Sequence, residues 1–317
     1  MRLLVAIPCL DEAATVGALL RAVPVAFGCV GSVQTLVIDD GSVDQTAAEA
    51  REAGAHVIRH RQRRGLGVAF RSAVDYALAQ DFDVMVTLDG DGQFDARDIP
   101  RLVNHLVETD ADMVTASRFS GHRRPLGIPS VKYRGNQLIA SLISALTGKR
   151  FSDVSCGFRC YRREALLMLN LQGQFTYTQE SLLDLAAQGA KIEEVEVDVR
   201  YFPDRRSRVA HSVMAYGFKA GLIILRAYRD HFPLRFFWGM SALCLLISLG
   251  FGSVFFWHFA QTGRFTGFLF AGFLAGFFGL IALIFFIGGL FADMFDRLRE
   301  NQQRSLNVLR SLNRDRR

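Results

Sequence analysis

The chain opens with short apolar runs separated by polar, helix-forming stretches. Leu3 to Ile7 is continuously apolar and meets Pro8, the pattern of a strand covered on both faces and stopped by the proline. Asp11, Glu12 and Thr15 precede an apolar-periodic segment from Val16 to Val25 that reads as a capped helix. The theme repeats: Thr35 to Asp40 predicts a strand, Thr46 to Ala53 a helix, His56 to Arg59 a strand, Leu66 to Ala79 a helix, and Val84 starts a further strand. Strands alternating with helices of this length predict a mostly parallel α/β sheet.

The pattern changes after residue 130. Leu138, Ile139, Leu142, Ile143 and Leu146 form a stripe at helical spacing within Val131 to Leu146, suited to a core or to a membrane interface. Ser212 to His231 predicts an apolar helix carrying Lys219, Arg226 and Arg229, which fits the headgroup layer. Phe236 to Trp257 then runs for 22 residues without a charge and Phe265 to Ala292 for 28, each long enough to cross a hydrocarbon core. Glycines at 272, 276, 279, 288 and 289 permit close helix packing, including a Gly272-x-x-x-Gly276 pair, and make a homo-oligomer plausible. The expected organisation is a sheet domain over 1–210, an interfacial helix over 211–233, a two-helix transmembrane hairpin over 234–292 and a basic tail over 293–317.

Charge and cysteine content sharpen this picture. Arg226, Arg229 and Arg235 flank the first span and Arg297, Arg299, Arg304 and Arg310 follow the second, against Arg264 alone in the turn. The positive-inside rule therefore predicts a cytosolic sheet domain with both termini cytosolic. The residues up to Pro8 are too short a run for a signal h-region, and the domain is expected to stay where it is made. A net charge of +6 points to an anionic partner, a lipid bilayer or a phosphorylated substrate, while no zinc finger or RNP-type strand suggests nucleic acid. Five cysteines without a CxxC argue against a disulfide framework or zinc site.

The candidate chemistry lies at strand ends. Val84-Met-Val-Thr-Leu-Asp-Gly-Asp-Gly-Gln93 delivers Asp89 and Asp91 to the end of an apolar run, with Gly90 and Gly92 allowing close backbone approach. Such a pair suits a hard divalent cation carrying phosphate oxygens. A calcium loop would want a glutamate about eleven residues on, where Pro100 stands, and no GxxxxGK[ST] occurs. In Ile38-Asp-Asp-Gly-Ser-Val-Asp-Gln-Thr46, Asp40 is the acid placed to accept from a base or ribose, while Ser42, Asp44 and Thr46 read as turn and cap for the next helix.

Taken in order, Ile7-Pro-Cys-Leu-Asp-Glu12, Val37 to Thr46, Arg64-Gly-Leu-Gly-Val-Ala69 and Leu88 to Phe94 resemble the family 2 glycosyltransferases of GT-A, Rossmann-like fold. Gly65 and Gly67 alone are no dinucleotide fingerprint. Met113 to Phe119, Tyr133-Arg-Gly-Asn136, Leu146-Thr-Gly148, Asp153-Val-Ser-Cys-Gly-Phe-Arg159 and Phe202 to Val209 are similar to the polyprenyl-phosphate branch, which includes dolichyl-phosphate mannosyltransferases. The resemblance implies an inverting enzyme that takes a UDP- or GDP-linked nucleotide-sugar donor, a polyprenyl phosphate acceptor and Mg²⁺ or Mn²⁺. It implies that Pro8, Glu12 and Asp40 contact base and ribose, and that Asp89, Gly90 and Asp91, helped by Gln93, hold metal and diphosphate. Arg118, Arg134 and Arg205 would surround the phosphates; because Arg206-Ser207-Arg208 replaces the common Gly-x-Ser-Lys ending, Arg205 and Arg208 both stand for the last of these. Asp91, Asp153 and Arg205 are the catalytic candidates, with Asp153 or Glu180 serving as base or as partner of an arginine. A processive synthase would carry Gln-x-x-Arg-Trp, yet Trp238 and Trp257 lie in the first span. A non-catalytic membrane scaffold is the remaining alternative.

Overall fold

The computed structural model describes residues 1–119, 128, 130–171, 177–200, 221–222, 225–226, 228–229 and 232–314, without the side chains of 130–132, 299–300 and 303–314. The chain divides into two compact units, Met1–Ile224 and Leu225–Arg317. The first begins with β1 (Arg2–Cys9), α1 (Ala13–Arg21), β2 (Ser32–Asp39), α2 (Thr46–Glu52), β3 (His56–Arg59), α3 (Leu66–Ala79) and β4 (Val84–Thr87). It continues with α4 (Ile99–Glu108), β5 (Met113–Ser117), α5 (Ser130–Thr147), β6 (Arg159–Arg162), α6 (Arg163–Met168), α7 (Thr178–Ala187) and β7 (Ile192–Glu196).

The seven strands form one sheet in the order β3-β2-β1-β4-β6-β5-β7. All neighbours are parallel except β6, which runs antiparallel to β4 and β5. Leu3, Val5 and Ile7 pack with Val16, Leu19 and Leu20 of α1 and Leu102, Val103 and Leu106 of α4, while Leu4 and Ala6 are equally shielded. Burial on both faces is why β1 reads as an unbroken apolar run. Pro8 does not stop the strand as expected: pairing with β2 continues to Cys9 opposite Asp39, whereas pairing with β4 covers only Leu3 to Ala6. Beyond Ala6 the strand has an open side, where a residue lacking an N–H is tolerated. The predicted stripe on α5 also splits. Asn136, Ala140 and Ile143 turn inward, and Leu138 and Leu142 are exposed.

The second unit is a helical hairpin of α8 (Pro233–Thr262) and α9 (Leu269–Arg314). Both helices are long and apolar enough to cross a membrane. Leu246, Trp257 and Phe273 remain exposed on them. Gly263, at φ +64, closes α8, so α9 starts after the apolar run begins at Phe265 and then continues unbroken through the basic tail. Ser241 Oγ and Ser248 Oγ each donate 2.7 Å bonds across the hairpin, to the carbonyls of Ala282 and Ala275. The Gly272-x-x-x-Gly276 pair is not the seam: Gly272 lies under the Phe255 ring, but Gly276 has nothing within 4 Å of where a Cβ would be. Gly279 and Gly289 complete the contact instead, facing Ser248 and Phe237.

Neighbouring glycines of α9 therefore differ sharply. A Cβ on Gly289 would lie 3.0 Å from Phe237 Cβ, whereas one on Gly288 meets nothing within 4 Å. Gly289→Leu is expected to destabilise the detergent-solubilised protein by about 1–3 kcal/mol through overpacking, and Gly288→Leu to change it little. Equal melting temperatures for the two variants would refute this packing.

Candidate active site

The carboxyl ends of β1, β2 and β4 meet at one edge of the sheet, and their loops are tied to one another before any ligand is considered. Asp11, at φ +51, donates its amide to Ser42 Oγ and accepts from the Val43 amide, both at 2.8–2.9 Å. Glu12 N donates to Thr46 Oγ1 at 2.7 Å. Asp44 was expected to cap the next helix; it accepts from Thr46 N at 3.0 Å and also from Ala13 N at 3.1 Å, so one carboxylate satisfies the first amides of both α1 and α2. Thr15 Oγ1 donates to the Gly90 carbonyl at 2.8 Å and lies 3.2 Å from Glu12 Oε2, which joins α1 to the loop after β4.

Asp40, read from sequence as the acid for base or ribose, makes a different set of bonds within the protein. Its oxygens accept from the amides of Arg64 and Gly65 at 2.9 and 2.8 Å and lie 2.7 Å from His60 Nδ1. It thereby holds the loop between β3 and α3 against the sheet. Gly41 makes the same approach possible: its φ is +81, and a Cβ there would come 2.7 Å from Arg63 N. Asp39, which sequence reasoning passed over, is fully buried, accepts from Ser42 N at 2.8 Å and pairs with Arg59 at 3.0 Å.

Asp89 and Asp91 lie in the turn after β4, where Asp91 Oδ1 accepts from Gln93 N at 3.0 Å and Gln93 O from Arg200 N at 2.9 Å. Two glycines let the chain fold around the first acid. A Cβ on Gly157 would come 2.6 Å from Asp89 Oδ1, and one on Gly90 would come 2.5 Å from Cys9 Sγ and 3.3 Å from the Pro8 carbonyl. Pro8, Glu12, Asp89, Gly90, Asp91 and Gln93 thus lie at the same edge of the sheet. Burial, and then the charge of Asp91, push the Asp89 carboxyl up to about 7, with Arg118 and Arg159 pulling it the other way. The Cys9 thiol is pushed up by burial and by the carboxylates of Asp39, Asp89, Asp44 and Asp91. Burial is the larger cause of both shifts, and the surplus of carboxylates at this edge adds to it.

That surplus fits a cation. Among the described residues no cluster of three or more His, Cys, Asp or Glu side chains is assembled to hold a metal ion. Two carboxylates suffice for a hard divalent ion that keeps phosphate and water oxygens as its other ligands. Asp89 and Asp91 are the side chains that would hold it.

A second group faces the same edge from β5 and the loop before β6. Arg118 Nε and Nη2 donate to Asp153 at 2.6 and 2.9 Å, and Nη2 also donates to Ser155 Oγ at 2.7 Å. Asp153 has no exposed surface, whereas the Arg118 side chain keeps 17%. Burial alone would raise the Asp153 carboxyl, but the charge and hydrogen bonds of Arg118 outweigh it and hold the carboxyl below its usual range. A shielded carboxylate locked in a bidentate pair has the geometry of an arginine's partner. Glu194 of β7 accepts from the amides of Ser152 and Asp153, and Asn136 of α5 donates to the Ser152 carbonyl at 3.2 Å and accepts from Ser155 Oγ at 2.8 Å. Sequence reasoning had no signal for Glu194, while Asn136, Ser155 and Gly157 sat unassigned inside its motifs. Arg134 is exposed on α5 two residues from Asn136. Arg205 and Arg208, with the segment Phe202 to Val209, lie outside the described residues.

Comparison with known proteins gives this geometry a family. The family model described as glycosyl transferase family 2 matches residues 4–167. Glycosyltransferase AglJ of Haloferax volcanii is 30% identical over 224 residues, covering 69% of this chain and 71% of the relative. A dolichyl-phosphate hexose transferase of the same organism is 33% identical over 165 residues, covering 52% of this chain and 69% of the relative. Among solved structures, glucosyl-3-phosphoglycerate synthase from Mycobacterium tuberculosis, in complex with Mn²⁺, UDP and glucosyl-3-phosphoglycerate, superposes with a TM-score of 0.55 at 23% identity, covering 72% of this chain and 79% of that one. At that identity the likeness is one of fold, the GT-A type of α/β sheet. The chain is a glycosyltransferase and belongs to glycosyl transferase family 2.

Proposed function

We propose that this glycosyltransferase moves a sugar from a nucleotide-sugar to a polyprenyl phosphate held in a lipid bilayer, with its sheet domain on the cytosolic side. The observation that carries the reading is the pairing of Arg118 with Asp153 near the two acids of the β4 turn: an oriented, partly exposed guanidinium within electrostatic reach of Asp89. A guanidinium fork suits a phosphate, and the acid pair suits a cation-bound diphosphate. The dolichyl-phosphate hexose transferase among the relatives supports the choice of acceptor. Exposed Leu138 and Leu142 on α5, and two helices able to span a bilayer, suit an acceptor that arrives with a lipid tail.

Each residue then has a task. A phosphate monoester loses its second proton near pH ~6, so the attacking oxygen is already ionised at neutral pH and needs no strong base. This agrees with an Asp153 that is shielded and paired. Arg118 neutralises and aims the acceptor phosphate, and Asp153, through Ser155 and Glu194, keeps that guanidinium from turning. Pro8, Glu12 and Asp40 shape the nucleoside end, Asp40 by fixing the loop at Arg64 and Gly65. The acceptor oxygen bonds to the anomeric carbon as the bond to the diphosphate breaks, which inverts that carbon. Mg²⁺ or Mn²⁺, when bound at Asp89 and Asp91 with help from Gln93, would offset the charge on the leaving diphosphate. Arg134, Arg205 and Arg208 are the further arginines assigned to the phosphates.

Three measurements test this reading. Asp91→Ala is expected to lose nearly all transfer from UDP- or GDP-sugars to polyprenyl phosphate while still inserting in membranes; full activity in that variant, or in EDTA, would sink the metal role. Arg118→Lys keeps the charge and loses the fork, so KM for polyprenyl phosphate should rise on the order of tenfold with donor KM unchanged. An equal rise for the donor would move Arg118 out of the acceptor site. The third concerns pH. Asp89 holds its proton more tightly folded than unfolded, so its contribution to stability is present below about pH 4 and lost as pH rises through about 7. Metal-free protein should therefore melt lower at pH 8 than at pH 5.5, Mn²⁺ should raise Tm more at pH 8, and Asp89→Asn should lose this difference. A wild-type profile identical to that of the variant would contradict it.

A further inference from the structure

β6 carries a charge that its surroundings do not explain. Arg159 is entirely shielded from water and lies between buried Phe158 and Cys160. Its Nη1 donates to the Thr178 carbonyl at 2.6 Å and to Ser181 Oγ at 2.8 Å, and its Nη2 to the Val154 carbonyl at 3.3 Å. All three acceptors are neutral, and Nε makes no hydrogen bond among the described residues. An arginine stays a cation even when buried, and taking one out of water is costly when its acceptors carry no opposing charge.

The field of this cation has a definite target. In the antiparallel pairing of β4 and β6, Arg159 stands opposite Thr87, two residues before Asp89. Thr87 Oγ1 donates to the Gly157 carbonyl at 2.7 Å, and Gly157 in turn packs against the Asp89 carboxylate. Arg159 is also one of the charges that lower Asp89, so its field reaches the acid pair. Buried Val154, Cys156 and Phe158 line the intervening loop and strand start, where solvent does little to screen it. Its bonds also join the first turn of α7 to the loop that carries Asp153 and Gly157.

We infer that Arg159, placed behind Gly157 and Asp89, is a positioning residue whose fixed buried charge draws a nucleoside diphosphate to the Asp89–Asp91 edge. The inference rests on the donor and metal site proposed above and adds to it a charge that never touches the substrate. Its consequence is a pair of effects of opposite sign. The same cation that attracts a diphosphate repels a free divalent ion, so removing it should weaken one and strengthen the other.

The experiment uses the full-length protein in detergent and two ligands measured separately: Mn²⁺ alone, by electron paramagnetic resonance of the free ion, and UDP or GDP alone in EDTA, by calorimetry. In Arg159→Gln, Mn²⁺ should bind about threefold to tenfold more tightly and the diphosphate more weakly by a similar factor, the scale of one poorly screened charge. Arg159→Met removes the charge at similar side-chain length and should shift both affinities in the same opposed directions; it decides the matter if the glutamine variant fails to fold. Shifts of both affinities in the same direction, or none in a folded Arg159→Gln, would overturn the inference and leave the proposed transfer standing. Wild-type protein that binds neither Mn²⁺ nor either diphosphate would overturn both. Gains in Mn²⁺ affinity opposed by losses for the diphosphate cannot come from general loosening, which would weaken the two together.

Discussion

Like charges crowded at the end of a sheet set the terms for the rest of the first unit. Asp39, Asp40, Asp44, Asp89 and Asp91 all sit where β1, β2 and β4 finish, and carboxylates brought together out of water repel one another. The fold answers each acid differently. Asp39 has Arg59, Asp40 has His60 and two amides, and Asp44 has the first amides of two helices. Asp89 packs against Gly157 and feels the charges of Arg118 and Arg159.

Around Arg118 the side chains hold one another in place. Arg118 is fixed by Asp153, Asp153 by the amides and hydroxyl of its own loop, and that loop by Glu194 on one side and Asn136 on the other. Breaking a buried ion pair by removing one partner costs roughly 3–5 kcal/mol, so the geometry is not easily relaxed. The same segment turns at Gly157 to meet Asp89, which links the Arg118 group to the β4 turn through a few residues of backbone. A glycine is needed there because any side chain would overlap the carboxylate.

The helical hairpin follows different physics. The two helices, long and apolar enough to cross a membrane, are joined by small residues and by serine hydroxyls bonding to carbonyls. Aromatic rings fill the remainder, as in the stacking of Trp238 on Phe286 at 5.4 Å.

Much of this was written in the order of residues. Local runs determined β1 to β4 and the helices between them, because strands covered on both faces must be continuously apolar, and they placed Asp89 and Asp91 at a strand end. Run length alone marked the two apolar helices. The antiparallel insertion of β6 between β4 and β5 was not legible, since a strand of four residues reading Arg-Cys-Tyr-Arg has no period of its own and takes its direction from partners far away in the chain. Nor could sequence say that Asp44 would serve two helices, that Asp153 would face Arg118, that Arg159 would be buried, or that Gly289 and not Gly276 would meet the partner helix. Those outcomes depend on which distant groups arrive at the same point, and only the packed chain decides that.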